Sequence, residues 1–144
     1  MKSLILGLSM ILASPAFAHI AIGTYKGVDA NGQACSFDVT AVTFEDGARH
    51  PLNERVAVMF NQIGFVLRHA PSVDVTRSVA VTFEKDMLSG VKGYSDYTWA
   101  FLLKMVHDEQ NDGPTEMTIV KQDNRNPSMS TKSICKNLVA PLTR

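Results

Sequence analysis

The sequence predicts an all-β fold, an antiparallel barrel of eight or nine short strands. Three observations carry that expectation. Apolar and polar residues alternate with a period of two in run after run, as half-buried strands require. Clusters of Asn, Asp, Gly and Pro separate most of the runs, where the chain must reverse. Cys35 and Cys135 lie on the second and the last of these runs, so a bond between them would tie the ends of a meander together. An up-and-down barrel needs its terminal strands to meet, because only closure removes the open edges. A two-sheet β-sandwich is the alternative reading of the same pattern.

Residues 1–18 read as a secretory signal peptide and not as part of the folded domain. Met1-Lys2 is a short basic start, Leu4–Ala13 an apolar run too short to span a membrane, and Ala16-Phe17-Ala18 a small-x-small cleavage site. Cleavage after Ala18 leaves a single β-rich domain over 19–144 that begins at His19.

Ile20, Ile22 and Thr24 alternate with Ala21, Gly23 and Tyr25 in a first strand, and Asn31-Gly32 supplies a hairpin turn. The second strand runs Ala34 to Phe44, with Cys35, Phe37, Val39 and Ala41 on one face. Val42 and Phe44 then fall on the polar phase, a slip expected of a β-bulge or of a strand covered on both faces. Leu52 to Ala70 is ambiguous. Leu52, Val56, Met59, Ile63 and Val66 fit one helical face, and a helix over 52–69 would make the fold α+β. Val56, Val58 and Phe60, then Phe65 and Leu67, also alternate, with a turn over 61–64 between them. β-branched and aromatic content and the interior Gly64 favour the hairpin.

Ser78 to Lys85 alternates cleanly through Val79, Val81 and Phe83, and Leu88 to Gly93 is a short strand weakened by glycine. Tyr97 to Val106 is the most hydrophobic segment after the leader, with Tyr97, Trp99, Phe101, Leu103 and Met105 in one phase. Asp108–Pro114 is a loop by composition, Glu116–Gln122 a strand, Asp123–Ser130 a polar turn region, and Ser133–Val139 the last strand.

The bulk properties bound the function. Fourteen basic residues balance fourteen acidic ones, and removal of the leader takes one lysine, so the mature chain sits near charge −1. Neither sign is concentrated anywhere, which leaves no electrostatic footprint for nucleic acid or anionic lipid. No apolar segment in the mature chain approaches the roughly 20 residues of a transmembrane helix. The expected location is the periplasm or the extracellular medium. In that oxidising setting a lone cysteine pair is read as a disulfide, here Cys35–Cys135.

Candidate site residues are few. Gly23-Thr24-Tyr25 resembles the G-x-W signature that opens the lipocalin barrel, with tyrosine in place of tryptophan. The match covers three residues and carries no function with it. The stripe of Tyr97, Trp99 and Phe101 is the candidate lining of a cavity, since a barrel of this size with an aromatic inner face can hold one small ligand. His19, as a mature N-terminus, would offer an α-amine and an imidazole together, a pair suited to copper. The lytic polysaccharide monooxygenases and related periplasmic copper carriers resemble this chain in that one residue, and His50, His69 and His107 are the available further ligands. No HxH or HxxxH spacing marks a zinc site. Asp108, Glu109, Asp112 and Glu116 lack the pattern of a calcium loop and read as a solvated turn. No nucleophile signature is present. The sequence therefore predicts an exported, non-catalytic protein that binds a small apolar ligand or a protein partner, with copper binding through His19 as the alternative and no other cofactor expected.

Overall fold

The computed structural model describes residues 20–45, 53–69, 86–107 and 112–142. These residues form β1 (Gly23–Asp29), β2 (Ala34–Phe44), β3 (Glu54–Phe60), β4 (Ile63–Leu67), β5 (Met87–Gly93), β6 (Tyr97–His107), β7 (Asp112–Asp123) and β8 (Thr131–Val139). All eight belong to one antiparallel sheet in the order β4-β3-β2-β1-β8-β7-β6-β5. Between the outermost strands, Arg68 and Ser89 exchange backbone hydrogen bonds of 2.9 and 2.8 Å. The sheet is thus nearly closed into a barrel, and no α-helix occurs among the described residues.

Leu52 to Ala70 is resolved as the hairpin within its described part, and the α+β alternative falls. β3 and β4 pair from Phe60↔Ile63 to Val56↔Leu67, so the turn is the two residues Asn61 and Gln62, with φ of 46° and 66°. Positive φ at both central residues matches the right-handed twist of the flanking strands. Ile63 and Gly64, placed in the turn by the sequence, belong to β4. β1 begins at Gly23 and not at Ile20. Ile20 is buried ahead of the strand while Ile22 is exposed, so the two isoleucines do not form one apolar face.

The phase slip in β2 is a bulge. Val39 pairs with Val58 and Ala41 with Ala57, which leaves Thr40 extra, its hydroxyl donating to the Ala57 carbonyl at 3.2 Å. Beyond it Val42 packs on the core. A second bulge sets Lys104↔Glu116 beside Met105↔Pro114 and brings Asp112–Pro114 into β7, where composition alone predicted loop. Pro114 is tolerated there because the ladder is locally interrupted. The Ser78–Lys85 strand lies outside the described residues.

The core is a ring cluster. Phe101 on β6 meets Phe37 at 5.2 Å, Phe65 at 5.5 Å and Phe60 at 6.3 Å between centroids, and Tyr25 stacks on Phe37 at 5.2 Å. Val39, Val56, Leu67, Leu88, Leu103 and Met117 fill the space around them.

Cys35 and Cys135 are disulfide-bonded, with Cα atoms 6.0 Å apart, inside the range such bonds need. The bond joins β2 to β8 across β1. Gly27 of β1 faces it, and a Cβ there would press into the Lys136 carbonyl and lie 2.9 Å from Cys135 Sγ. Only glycine fits this crossing. The sequence reading placed the bond near the seam where the terminal strands meet, and β1 and β8 do share a ladder there, with a register shift; a second, weaker closure lies at β4–β5.

Two outcomes follow. The bond closes a loop with a separation of 100 residues, worth roughly 4–5 kcal/mol in the chain-entropy model. A reductant is expected to lower Tm of the wild type and to leave a Cys35→Ala/Cys135→Ala variant unmoved; equal sensitivity of the two would show the bond structurally idle. Burial, opposed by the Ala21 N–H that donates to its oxygen at 2.9 Å, raises the Tyr25 phenol above its ordinary value of 10.0. The folded state then keeps a proton that the unfolded chain releases. Stability from this group is complete below pH about 10 and declines as pH rises through the folded value. Thermal melts across that range are expected to show the decline in wild type and to show less of it in Tyr25→Phe.

Candidate functional site

Connections in an up-and-down sheet alternate between two ends. The short turns β1–β2, β3–β4 and β5–β6, together with the folded turn β7–β8, all lie at one end, and the aromatic stripe of β6 climbs toward it. Phe101 is fully buried in the ring cluster, Trp99 is half-buried against the core and Tyr97 is 38% exposed. The three candidate residues thus occupy successive levels from the barrel interior to its rim, each step about 7 Å along the strand. Phe60 and Ile63, flanking the β3–β4 turn, are half-buried against the same core.

Lys121 completes the group. It pairs in register with Trp99, and its Nζ lies 4.0 Å from the Tyr97 ring centroid and 5.2 Å from that of Trp99. The ammonium is attracted by the negative faces of both rings. No carboxylate among the described residues forms an ion pair with it. The nearest candidate by sequence, Asp123, is occupied by its own turn. Its Oδ1 accepts the N–H groups of Asn126 and Arg125, each at 2.9 Å, and these bonds, with smaller attractions from the Arg125 and Lys121 charges, hold its carboxyl below the ordinary value of 3.8.

Asn124 clamps the rim. Its side-chain amide donates to the Tyr94 carbonyl at 2.9 Å, and its Oδ1 accepts the Thr98 hydroxyl at 2.9 Å. Its backbone N–H donates to the Asp96 carbonyl at 2.9 Å. Arg125 and Asp96 add an exposed ion pair at 2.6 Å. These contacts fasten the β7–β8 turn to the β5–β6 turn, so both strands that carry Tyr97, Trp99 and Lys121 are fixed at their ends.

Sequence reasoning found the aromatic stripe but not Lys121 or Asn124. Neither has a local signal: a lysine in an alternating strand and an asparagine in a polar turn are both common. Their roles come from the β6–β7 register. Of the histidines, His19 and His50 lie outside the described residues. His69 ends its stretch beyond β4 and is half-buried, and His107 closes β6. No group of three or more metal-binding side chains occurs among the described residues. In the acidic cluster, Glu116 stands between Lys104 and Lys136 in the sheet register, while 108 and 109 lie outside the description. Two open clefts of about 460 and 620 Å³ run along the outside of β1 and β8, one beside Asp29 and Lys132, the other beside Lys26 and Pro141. The rim residues line neither.

Comparison with protein-family models, curated proteins and solved structures finds no match for this chain.

The clamp gives a direct test. Asn124→Ala removes three side-chain hydrogen bonds, one of them a long 3.4 Å contact to the Ser95 carbonyl, each worth about 0.5–1.5 kcal/mol at most in an exposed site. It is expected to lower Tm by a few degrees and to shift the emission of Trp99, the chain's single tryptophan, toward the red. Unaltered emission would show that the rim holds without the clamp.

Proposed function

We propose that this is an exported, non-catalytic binding protein that receives a protein partner on its hairpin-end rim, through Tyr97, Trp99 and Lys121. The observation that carries the reading is the ammonium of Lys121 poised over two aromatic faces at the hairpin end of the barrel. Tyrosine and tryptophan are among the side chains that dominate binding energy at protein interfaces, and a charge beside them adds selectivity for a complementary partner. The ring cluster around Phe101 occupies the barrel at mid-height, so an enclosed small apolar ligand is the weaker form of the reading. A partner suited to the rim presents an apolar side chain with a carboxylate beside it, which Lys121 would attract. Export is supported by the leader pattern of residues 1–18 and by the disulfide, which oxidising compartments favour.

Because Trp99 is the single tryptophan, its emission reports occupancy of the rim. Titration with an anionic aromatic probe, anilinonaphthalene sulfonate, is expected to quench Trp99 saturably in wild type, with affinity reduced at least tenfold in Lys121→Ala and Tyr97→Ala. Equal quenching in all three proteins would remove the rim as the binding surface. Purified extract or medium passed over immobilised wild type and Tyr97→Ala then separates the two forms: a protein retained by the first and lost by the second supports a partner, and retention of small molecules alone opposes it.

A further inference from the structure

At the hairpin end the registers of three strands place a second lysine beside Trp99. Lys92 on β5 pairs with Trp99 from one side, and Lys121 on β7 pairs with it from the other. Residues paired in register share a face of the sheet, so the indole stands between two lysines in one row. Adjacent strands lie about 4.8 Å apart, which sets the two lysine stems roughly 10 Å from each other. One level nearer the rim, Tyr94 donates its N–H to the Tyr97 carbonyl at 2.7 Å, so the pairing continues past the end of β5. Tyr94 and Tyr97, 51 and 38% exposed, edge the row. Each lysine therefore has two aromatic neighbours. Lys92 has Trp99 across the ladder and Tyr94 two residues along the strand, while Lys121 has Trp99 and Tyr97.

The carboxylates of this end are engaged elsewhere. Asp123, in register with Tyr97, holds the Arg125 and Asn126 N–H groups, and it attracts Lys121 through space without pairing with it. Asp96 pairs with Arg125. On the far side of β5, β4 reads Ile-Gly-Phe-Val-Leu and brings no charge. Among the described residues neither Lys92 nor Lys121 forms an ion pair.

We infer that the rim takes an acidic segment of its protein partner, with an apolar side chain over Trp99 and a carboxylate on each side of it, one for Lys92 and one for Lys121. The inference rests on the rim being the partner surface and adds the second cation to it. A lysine drawn over a ring face still has ammonium donors to offer, and two like charges beside one indole are relieved best by two opposite ones. A second copy of this chain is disfavoured on the same ground, because its own lysines would meet these. A nucleic-acid strand fits less well, since one row with two lysines does not track a chain of phosphates.

The peptide acetyl-Glu-Gly-Phe-Gly-Glu-amide, whose three side chains share one face of an extended chain, is the probe. Its binding is read from the N–H resonance of the single indole, Trp99. Wild type is expected to bind it about tenfold more tightly than acetyl-Gln-Gly-Phe-Gly-Gln-amide, as two exposed ion pairs allow, and to lose that advantage in high salt. Lys92→Ala is expected to bind the acidic peptide about three- to fivefold more weakly and the neutral one unchanged. If Lys121→Ala weakens the acidic peptide and Lys92→Ala does not, the two-cation site falls while the rim reading stands. If neither peptide nor anilinonaphthalene sulfonate moves the resonance, both fall. An equal loss for the two peptides in Lys92→Ala, tighter binding of oligothymidylate, or a wild-type self-association that Lys92→Ala abolishes each overturns the inference as well.

Discussion

The contact of Phe101 with three phenylalanines from across the barrel is the interaction on which the rest of the structure depends. The sheet consists of two four-stranded halves, β4-β3-β2-β1 and β8-β7-β6-β5. On one side they share the β1–β8 ladder, reinforced by the disulfide. On the other, among the described residues, they meet through a pair of backbone hydrogen bonds at Arg68 and Ser89. Those two bonds contribute about 1 kcal/mol each. Phe101 projects from β6 onto Phe37, Phe60 and Phe65 of β2, β3 and β4, and burial of such a ring is worth about 3–5 kcal/mol by truncation. Closure at the seam is therefore maintained mainly from inside, by packing, and only secondarily by the ladder.

That balance explains why the seam tolerates a poor edge. β4 has five residues, and β5 carries Gly90 and Gly93. A Cβ at Gly90 would lie 2.6 Å from the Val66 carbonyl, so glycine here serves the close approach of the two strands and not merely a weak strand. The opposite side shows the same logic at Gly27, where a missing side chain lets a covalent bond pass beneath β1. Each junction between the halves depends on a glycine, and each is secured by something stronger than main-chain pairing.

How much of this was legible follows from how local each feature is. Alternation and the Asn31-Gly32 turn are local, and the strands they predict within the described residues are present. The Asn61-Gln62 turn was harder, because a glutamine at positive φ gives no signal and the helical spacing of Val56, Met59 and Ile63 competes with the β alternation. The bulge at Thr40 was visible as a phase slip, since inserting one residue exchanges the two faces of a strand. That the terminal strands meet was legible, but the weak closure at β4–β5 was not, because it depends on which strands exchange ladders and not on the content of either. The same limit applies to the site. Tyr97, Trp99 and Phe101 share a phase and could be singled out, yet the difference among them is set by height in the barrel. Lys121 reaches its place only through the register Trp99↔Lys121, a fact about two strands at once.

The two ends of the barrel divide the work between them. At the hairpin end the chain reverses in tight turns whose backbone groups are satisfied locally, as in the Asp29 carboxylate that accepts from Asn31 and Gln33 and the Asp123 carboxylate that accepts from Arg125 and Asn126. Such turns pre-organise what they carry, and binding then loses little further entropy in ordering the rim. At the other end lie the start of β1, the end of β8 and the ends of the remaining strands. Ile20, buried beside that end, anchors the chain immediately after the predicted cleavage point. The described chain thus begins at the end opposite the aromatic rim, and the elements that position Tyr97, Trp99 and Lys121 are all drawn from the hairpin end.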